Sequence, residues 1–142
     1  MLKKRMYMLQ DLPDFKIVRK DLNPKLVQYF YEDQMLVDLA IYEAYTNAFI
    51  HGNKRNTDKM IQITLLFLHH SMIIRVRDEG EGFSHKQVKE KAMKRVNAPL
   101  EDQLDHGRGL IIMHQMMDSL HFSSSGNEVI MRKWYTSNRK GD

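Results

Sequence analysis

The sequence predicts an α+β fold, a two-layer sandwich in which helices pack on one face of a mostly antiparallel sheet. Strand-like runs occur in pairs around short turns, first over residues 60–68 and 72–78 and again on either side of Gly126-Asn127. Other segments repeat their apolar residues at helical spacing. Because amphipathic helices have to bury their apolar stripe, a shared sheet face accounts for all of these segments together.

The first half of the chain predicts one strand and two helices. Residues 15–22 alternate well enough for a strand, and Asn23-Pro24 then supply a cap and a first-turn proline for a helix that ends near Glu32. A second helix is predicted over residues 35–51. It is expected to end at Gly52-Asn53 in a left-handed turn.

The second half continues with the hairpin over residues 60–78 and a more polar stretch. A short basic helix is predicted over 87–95 and a polar loop over 96–109. Helical spacing returns from residue 108 to 120, and the last two strands flank the Gly126-Asn127 turn. The sequence shows neither an internal repeat nor a low-complexity segment.

Composition indicates one soluble folded unit. With 142 residues, the chain is expected to form a single domain over 1–142, with flexible ends at about 1–12 and 136–142. Hydrophobic residues make up 42% and charged residues 28% of the chain, which is ordinary for a globular protein. No run approaches the length of a membrane span, and a cytoplasmic location is expected.

Charge and cysteine content narrow the classes of function. The formal net charge of +4 suits an anionic ligand, whereas no basic helix with base-reading side chains stands out, so direct nucleic-acid binding is not expected. The chain has no cysteine, which excludes disulfides, thiolate metal sites and cysteine nucleophiles.

Two polar residues interrupt the apolar face of the second helix. Glu43 and Asn47 are four residues apart, on the arc expected to be shielded, together with Leu36, Leu39, Ala40 and Ile50. Buried polar groups need partners, so one interpretation is that backbone or a lysine satisfies both side chains. The functional alternative is that Asn47 is an oxygen ligand for Mg²⁺ and Glu43 polarises an attacking hydroxyl or water.

Two glycine motifs follow. Asp78, Gly80 and Gly82 form a D-x-G-x-G directly after a strand, which presents a carboxylate above a sharp turn, although simple turn chemistry also explains such a pattern. The Gly107-Arg108-Gly109 motif opens a helix whose free N–H groups suit an anion. It has neither the P-loop form nor the dinucleotide-fold form.

The four motifs, taken in order, resemble the nucleotide-binding boxes of the GHKL ATPases, also called the Bergerat fold. EAYTNAFIHGN resembles the N box, VRDEGEGF the G1 box, HGRGLIIMHQMMD the G2 region and GNEVIMRK the closing hairpin. The resemblance covers roughly residues 24–133. Within this superfamily the sequence is most similar to the anti-sigma-factor serine kinases of bacteria.

The resemblance implies a role for each site residue. Glu43 would be the general base and Asn47 the Mg²⁺ ligand. Asp78 would accept a hydrogen bond from the adenine amino group. The glycines and the arginine would shape the pocket and bind the phosphates of ATP, namely Gly80, Gly82, Gly107, Arg108 and Gly109. Residues 96–106 would be a lid that closes over the nucleotide.

The resemblance also implies partners, a sigma factor and an anti-anti-sigma regulator of the STAS-like kind that is phosphorylated on serine, and it allows a homodimer. The implied activity is that of an ATP-dependent protein serine/threonine kinase that controls transcription by partner switching. The alternatives are a nucleotide-dependent sequestering module without kinase activity, and a stand-alone catalytic domain of a two-component system. The residues before Glu43 carry no phosphoacceptor helical hairpin, which disfavours a complete histidine kinase.

Aromatic and methionine side chains near these motifs are expected to pack the core. The helix face opposite Glu43 carries rings, as does the helix before it, and packing of the two helices against each other accounts for them better than a docking surface. The rings are Tyr42, Tyr45 and Phe49 on one helix, and Tyr29, Phe30 and Tyr31 on the other. Met113, Met116 and Met117 are likewise expected in the core.

Overall fold

The computed structural model of the protein describes residues 3–81 and 108–136. These residues form five strands and three α-helices. The strands are β1 (Lys3–Leu9), β2 (Ile61–Phe67), β3 (Ser71–Arg77), β4 (Ser119–Phe122) and β5 (Glu128–Trp134). The helices are α1 (Phe15–Phe30), α2 (Gln34–Asn47) and α3 (Arg108–Met116).

The strands make one sheet in the order β1-β2-β3-β5-β4. Every neighbouring pair among the described strands is antiparallel. The two predicted hairpins, β2–β3 and β4–β5, are confirmed, and Gly126 in the second turn has a φ of 80°. The α+β sandwich with a mostly antiparallel sheet is therefore also confirmed, because α1 packs on α2, α2 packs on α3, and α2 contacts β3.

The predicted strand over residues 15–22 is wrong, because this segment is the first half of α1. The buried residues of α1 recur every three or four positions, which is the period of a helix face: Phe15, Val18, Leu22, Leu26 and Phe30. Ile17, which alternation would have placed beside Phe15, is 65% exposed. Pro24 lies inside α1 rather than at its start.

The N-terminal end was expected to be flexible over about 1–12, and this is wrong for residues 3–9. They form β1, an edge strand that pairs along its whole length with β2, from Lys3 opposite Phe67 to Leu9 opposite Ile61. A hydrogen bond also connects the segment after β1 to α2, because the hydroxyl of the buried Tyr45 donates to the backbone oxygen of Asp11. At the other end Thr136 donates to the backbone oxygen of Phe30 at 2.8 Å, and residues 137–142 lie outside the described part.

The core lies between the helices and one face of the sheet, and it contains the predicted rings Phe30, Tyr45 and Phe49. The expected pairing of the α1 rings with the α2 rings is wrong for Tyr29 and Phe30, whose ring contacts in the described residues are with Tyr135 and Phe67. Phe15 contacts Tyr42 and Tyr45, with ring centroids 5.2 and 5.3 Å away. Tyr29 stacks on Tyr135 at 4.3 Å. Met113 and Met117 are buried and Met116 is partly buried against the core, whereas Tyr31, at the end of α1, is 48% exposed.

Three sequence predictions fall on residues that the structure does not describe: the basic helix over 87–95, the lid over 96–106 and the polar loop up to residue 107. In the described ranges, no helix has the length and apolar character needed to cross a membrane.

Candidate functional site: a nucleotide cleft

The end of α2 carries the first part of the site. Beyond Asn47 the helix widens into a π-helical turn, Ala48–Gly52, in which the N–H of Asn53 donates to the carbonyl of Ala48 at 2.8 Å. Such π turns occur frequently at functional sites. The expected left-handed end at Gly52-Asn53 is wrong, because the positive φ angles occur two residues later, at Lys54 and Arg55.

Glu43 and Asn47 lie on one side of α2, facing the start of α3. A Cβ added to Gly109 would stand 2.5 Å from Glu43 Oε2 and 3.4 Å from Asn47 Nδ2. Only a glycine lets the α3 backbone approach this carboxylate so closely. The acid and the amide are therefore both positioned at the amino-terminal end of a helix, where unpaired backbone N–H groups and the helix dipole favour an anion.

The prediction that this face of α2 is shielded is only partly right. Ala40 is fully buried, but Leu36 and Leu39 are 44% and 37% exposed, and Glu43 and Asn47 are partly exposed. The buried stripe of α2 is rotated away from this arc, because it follows the residues that meet the sheet and the neighbouring helices: Val37, Ala40, Ile41, Ala44 and Tyr45.

Asp78 provides the second part of the site at the carboxyl end of β3. Its side chain is only 5% exposed. Oδ1 accepts the N–H of Gly80 at 2.8 Å, and the Asp78 N–H donates to the carbonyl of Asn127 at 3.0 Å. Burial raises the pKa of this carboxyl above its ordinary value, against the smaller opposing effects of the Gly80 N–H and the Lys59 charge. A carboxylate held so deep is an acceptor with few donors around it.

Two glycines permit this arrangement by close backbone approach. A Cβ at Gly52 would fall 2.2 Å from Asp78 Oδ2, and a Cβ at Gly80 would fall 1.9 Å from the carbonyl oxygen of Gly52. Any side chain at either position would displace the backbone or the carboxylate. The α2 terminus and the loop after β3 are therefore in direct contact, with Asp78 between them.

A narrow cleft lies beside Asp78, between the end of α2, β3 and the β4–β5 turn. Its walls include Ala48, Val76 and Met113, and its polar groups include Asn47 and Asp78. Apolar walls with a few convergent polar groups are typical of small-molecule sites. A buried carboxylate at one end selects a hydrogen-bond donor, as the adenine amino group is, and the helix start beside Glu43 selects an anion. The described residues thus offer an acceptor suited to an amino group and a helix start suited to an anion, which are the two chemistries that ATP would require.

The structure brings together five of the eight predicted site residues: Glu43, Asn47, Asp78, Gly80 and Gly109. Gly82 and Gly107 lie outside the described residues. Arg108 is the first residue of α3, and its side chain also lies outside the description. The sequence reasoning missed Gly52 and Asn53 as site residues, because they were assigned to a helix end. The available signal was the Gly52-Asn53 pair itself, a glycine and an amide that follow Glu43 and Asn47 on the same helical segment.

Fold and cleft together define a nucleotide-binding domain of the ATPase class. Comparison with protein families identifies it further, since the model of the histidine kinase-like ATPase domain matches residues 19–133. The chain therefore belongs to the histidine kinase-like ATPase family, and its fold is of the GHKL type. This confirms the resemblance seen in the four motifs and implies ATP as the nucleotide.

Curated relatives include anti-sigma F factors and a serine-protein kinase. The chain is 33% identical over 100 residues to an anti-sigma F factor of Clostridium acetobutylicum, covering 68% of this chain and 67% of that protein. It is 32% identical over 115 residues to the serine-protein kinase RsbW of Bacillus pumilus, covering 78% and 71%. An anti-sigma F factor of Bacillus subtilis is 29% identical over 89 residues, covering 63% and 59%. For some relatives the chain thus spans only about three fifths of their length.

Proposed function

We propose that the protein is an ATP-dependent protein serine kinase of the anti-sigma-factor type, acting on a partner regulator. One observation carries the proposal: the contact of Gly109 with Glu43 and Asn47, which puts an acid and an amide at an anion-binding helix start. A nucleotide sensor needs the anion site but has no need of an acid there. The names of the curated relatives support the same activity.

At the base end of the cleft, Asp78 accepts the adenine amino group. The buried carboxylate discriminates against guanine, which presents a carbonyl oxygen at that position and would be repelled by it. Gly52 and Gly80 keep the carboxylate in place by leaving no room for side chains around it.

At the phosphate end, Asn47 binds the metal ion and the start of α3 binds the phosphates. The side-chain oxygen of Asn47 is a hard ligand suited to Mg²⁺, which is bound in such sites by few protein groups together with phosphate oxygens. The backbone of Gly107, Arg108 and Gly109 binds phosphate, Gly82 shapes the adenine pocket, and residues 96–106 would serve as the lid. When bound, the metal ion neutralises phosphate charge.

Glu43 acts on the incoming hydroxyl. The partner's serine oxygen forms a bond to the γ-phosphorus, the bond from that phosphorus to the β–γ bridging oxygen breaks, and ADP leaves. Glu43 accepts the proton of the serine hydroxyl. Phosphoryl transfer depends mainly on positioning and charge neutralisation, so one base and one anion cradle are sufficient.

The proposed setting is the bacterial cytoplasm. The partners are a sigma factor, which the protein sequesters, and a STAS-like anti-anti-sigma regulator, which it phosphorylates. The family resemblance also allows a homodimer.

The test incubates the protein with γ-labelled ATP, Mg²⁺ and candidate STAS-like domains, beside Glu43→Gln and Glu32→Gln. Glu32 is exposed in the turn before α2 and serves as the matched loss of charge. We expect phosphoserine on a partner with wild type and Glu32→Gln, and at least a hundredfold less with Glu43→Gln although ATP still binds. Equal partner capture without phosphoserine by all three proteins would favour the sequestering module. Acid-labile phosphohistidine would indicate a two-component catalytic domain.

A further inference from the structure

Three hydrogen bonds close a ring between the segments that surround Asp78. Asn53 Nδ2 donates to the carbonyl of Met60 at 3.1 Å. The N–H of Met60 donates to Glu79 Oε1, and the N–H of Glu79 donates to Asn53 Oδ1 at 2.8 Å. The ring thus joins the end of α2, the entry to β2 and the loop after β3.

Asn53 is the member of the ring that uses both ends of its side chain. It is 1% exposed, so neither its oxygen nor its amide nitrogen has water as a ready substitute. An unsatisfied buried polar group costs roughly 1–3 kcal/mol. Because each end of the amide bonds a different segment, the side chain fixes the distance between them.

The ring adjoins the adenine-recognition residue in two ways, once along the chain and once through a close backbone approach. Glu79 directly follows Asp78, and Gly52, whose carbonyl is pressed against Gly80, directly precedes Asn53. Moving Glu79 moves the peptide that carries the Asp78 carboxylate, while moving residue 53 moves the backbone packed against it. A displacement of about 1 Å is enough to cost large factors at a positioned group.

We propose that Asn53 is a positioning residue for base recognition, holding the Asp78 carboxylate at the depth where it accepts the 6-amino group of adenine. Asn53 itself touches no nucleotide. This inference rests on the proposed use of Asp78 for adenine and adds a second residue, outside the cleft lining, that sets its selectivity.

The experiment measures dissociation constants of the full chain for ATP and for purine riboside triphosphate, which lacks the 6-amino group. The variants are Asn53→Ala and Glu79→Ala, which both open the ring. Thr136→Ala is the control, since it deletes one side-chain hydrogen bond to a backbone carbonyl remote from the cleft. Thermal unfolding without nucleotide reports whether each variant is folded.

In wild type and Thr136→Ala we expect ATP to bind about tenfold or more tightly than the analogue. In both ring variants we expect the dissociation constant for ATP to rise, while that for the analogue stays nearly unchanged. The preference for ATP over the analogue should therefore fall by at least fivefold. A purely structural role would weaken both ligands equally, and that result, or an unchanged preference, would overturn the inference. If Asn53→Ala does not fold, Glu79→Ala decides.

Failure of the two proposals is distinguishable. An ATP preference that depends on Asn53, found in a protein that transfers no phosphate to any partner, supports the positioning role and contradicts the kinase. A wild type that does not distinguish ATP from the analogue contradicts adenine recognition by Asp78, and the role of Asn53 with it.

Discussion

The backbone of Gly109 lies against the carboxylate of Glu43, so closely that a methyl group there would stand 2.5 Å from Oε2. No Cβ tolerates that distance, and the acid or the helix start has to shift. We expect Gly109→Ala to lower phosphoryl transfer about a hundredfold, as displacement of a catalytic group by about 1 Å does. Labelled-phosphate transfer to a partner domain measures the loss. Gln115→Ala, an exposed change on the same helix, is the control, and equal activity of the two variants would contradict the prediction.

Replacing Asp78 by Asn should weaken ATP binding. The substitution keeps an acceptor for the Gly80 N–H but removes the charge that strengthens the bond to the adenine amino group. Hydrogen bonds to charged groups contribute about 1.5–3 kcal/mol, which corresponds to roughly a tenfold to hundredfold higher dissociation constant. Isothermal titration calorimetry measures it. Asp58→Asn, in an exposed loop, should bind like wild type, and tight binding by both variants would refute the role of Asp78.

The same substitution should raise stability in a pH-dependent way. Burial raises the native pKa of Asp78 above the unfolded value of 3.8, so the native state holds the proton more tightly than the unfolded chain. The contribution of this carboxyl to the free energy of unfolding is therefore fully present below pH 3.8, and it is lost as the pH rises through the native pKa. Near neutral pH the ionised carboxylate is a cost that Asp78→Asn avoids.

Urea unfolding without nucleotide across a pH series tests this. We expect Asp78→Asn to have the larger free energy of unfolding near neutral pH, with the advantage shrinking as pH falls toward 3.8. The exposed Asp58→Asn provides the baseline. An advantage that stays constant with pH would show that the carboxyl does not titrate with a raised pKa.

The helical assignment of residues 15–22 has its own test in stability. Phe15 is 2% exposed between the rings of Tyr42 and Tyr45, whereas Ile17 is 65% exposed. We expect Phe15→Ala to lower the free energy of unfolding by about 3–5 kcal/mol and Ile17→Ala to change it by about 0.5 kcal/mol or less. Denaturant unfolding measures both. Similar losses would indicate that the two residues share a buried face, as a strand would have them.

The hairpins and the helix after Arg108 were predictable because their periodicity is local and the hairpin turns are short. Residues 15–22 were assigned wrongly because their pattern fits both a strand and a helix. Phe15 and Ile17 fit alternation, whereas Leu22 is out of phase with them. The helical period becomes clear only when Leu26 and Phe30 continue it through Pro24. A proline in the middle of the segment argues against a helix, and packing of α1 on α2 compensates for the hydrogen bond that the proline removes.

The sequence singled out residues of the candidate site but not their contacts. Glu43, Asn47 and Asp78 stood out because polar groups interrupt apolar patterns there. That Gly52 touches Asp78, or that Asn53 binds Glu79, depends on pairing between segments distant in the chain, and no local pattern reports it. The burial of Leu36 and Leu39 was misjudged for the same reason, since the neighbours of α2 decide which arc is covered.

The position of β1 in the sheet has a consequence for how the chain folds. Hairpins β2–β3 and β4–β5 join residues close in sequence, and such pairs form in microseconds. Pairing Leu9 with Ile61 instead closes a loop of roughly fifty residues that contains α1 and α2. Strand β1 is thus synthesised before both helices and its partner β2 after them, so β1 stays unpaired until both helices and β2 have left the ribosome.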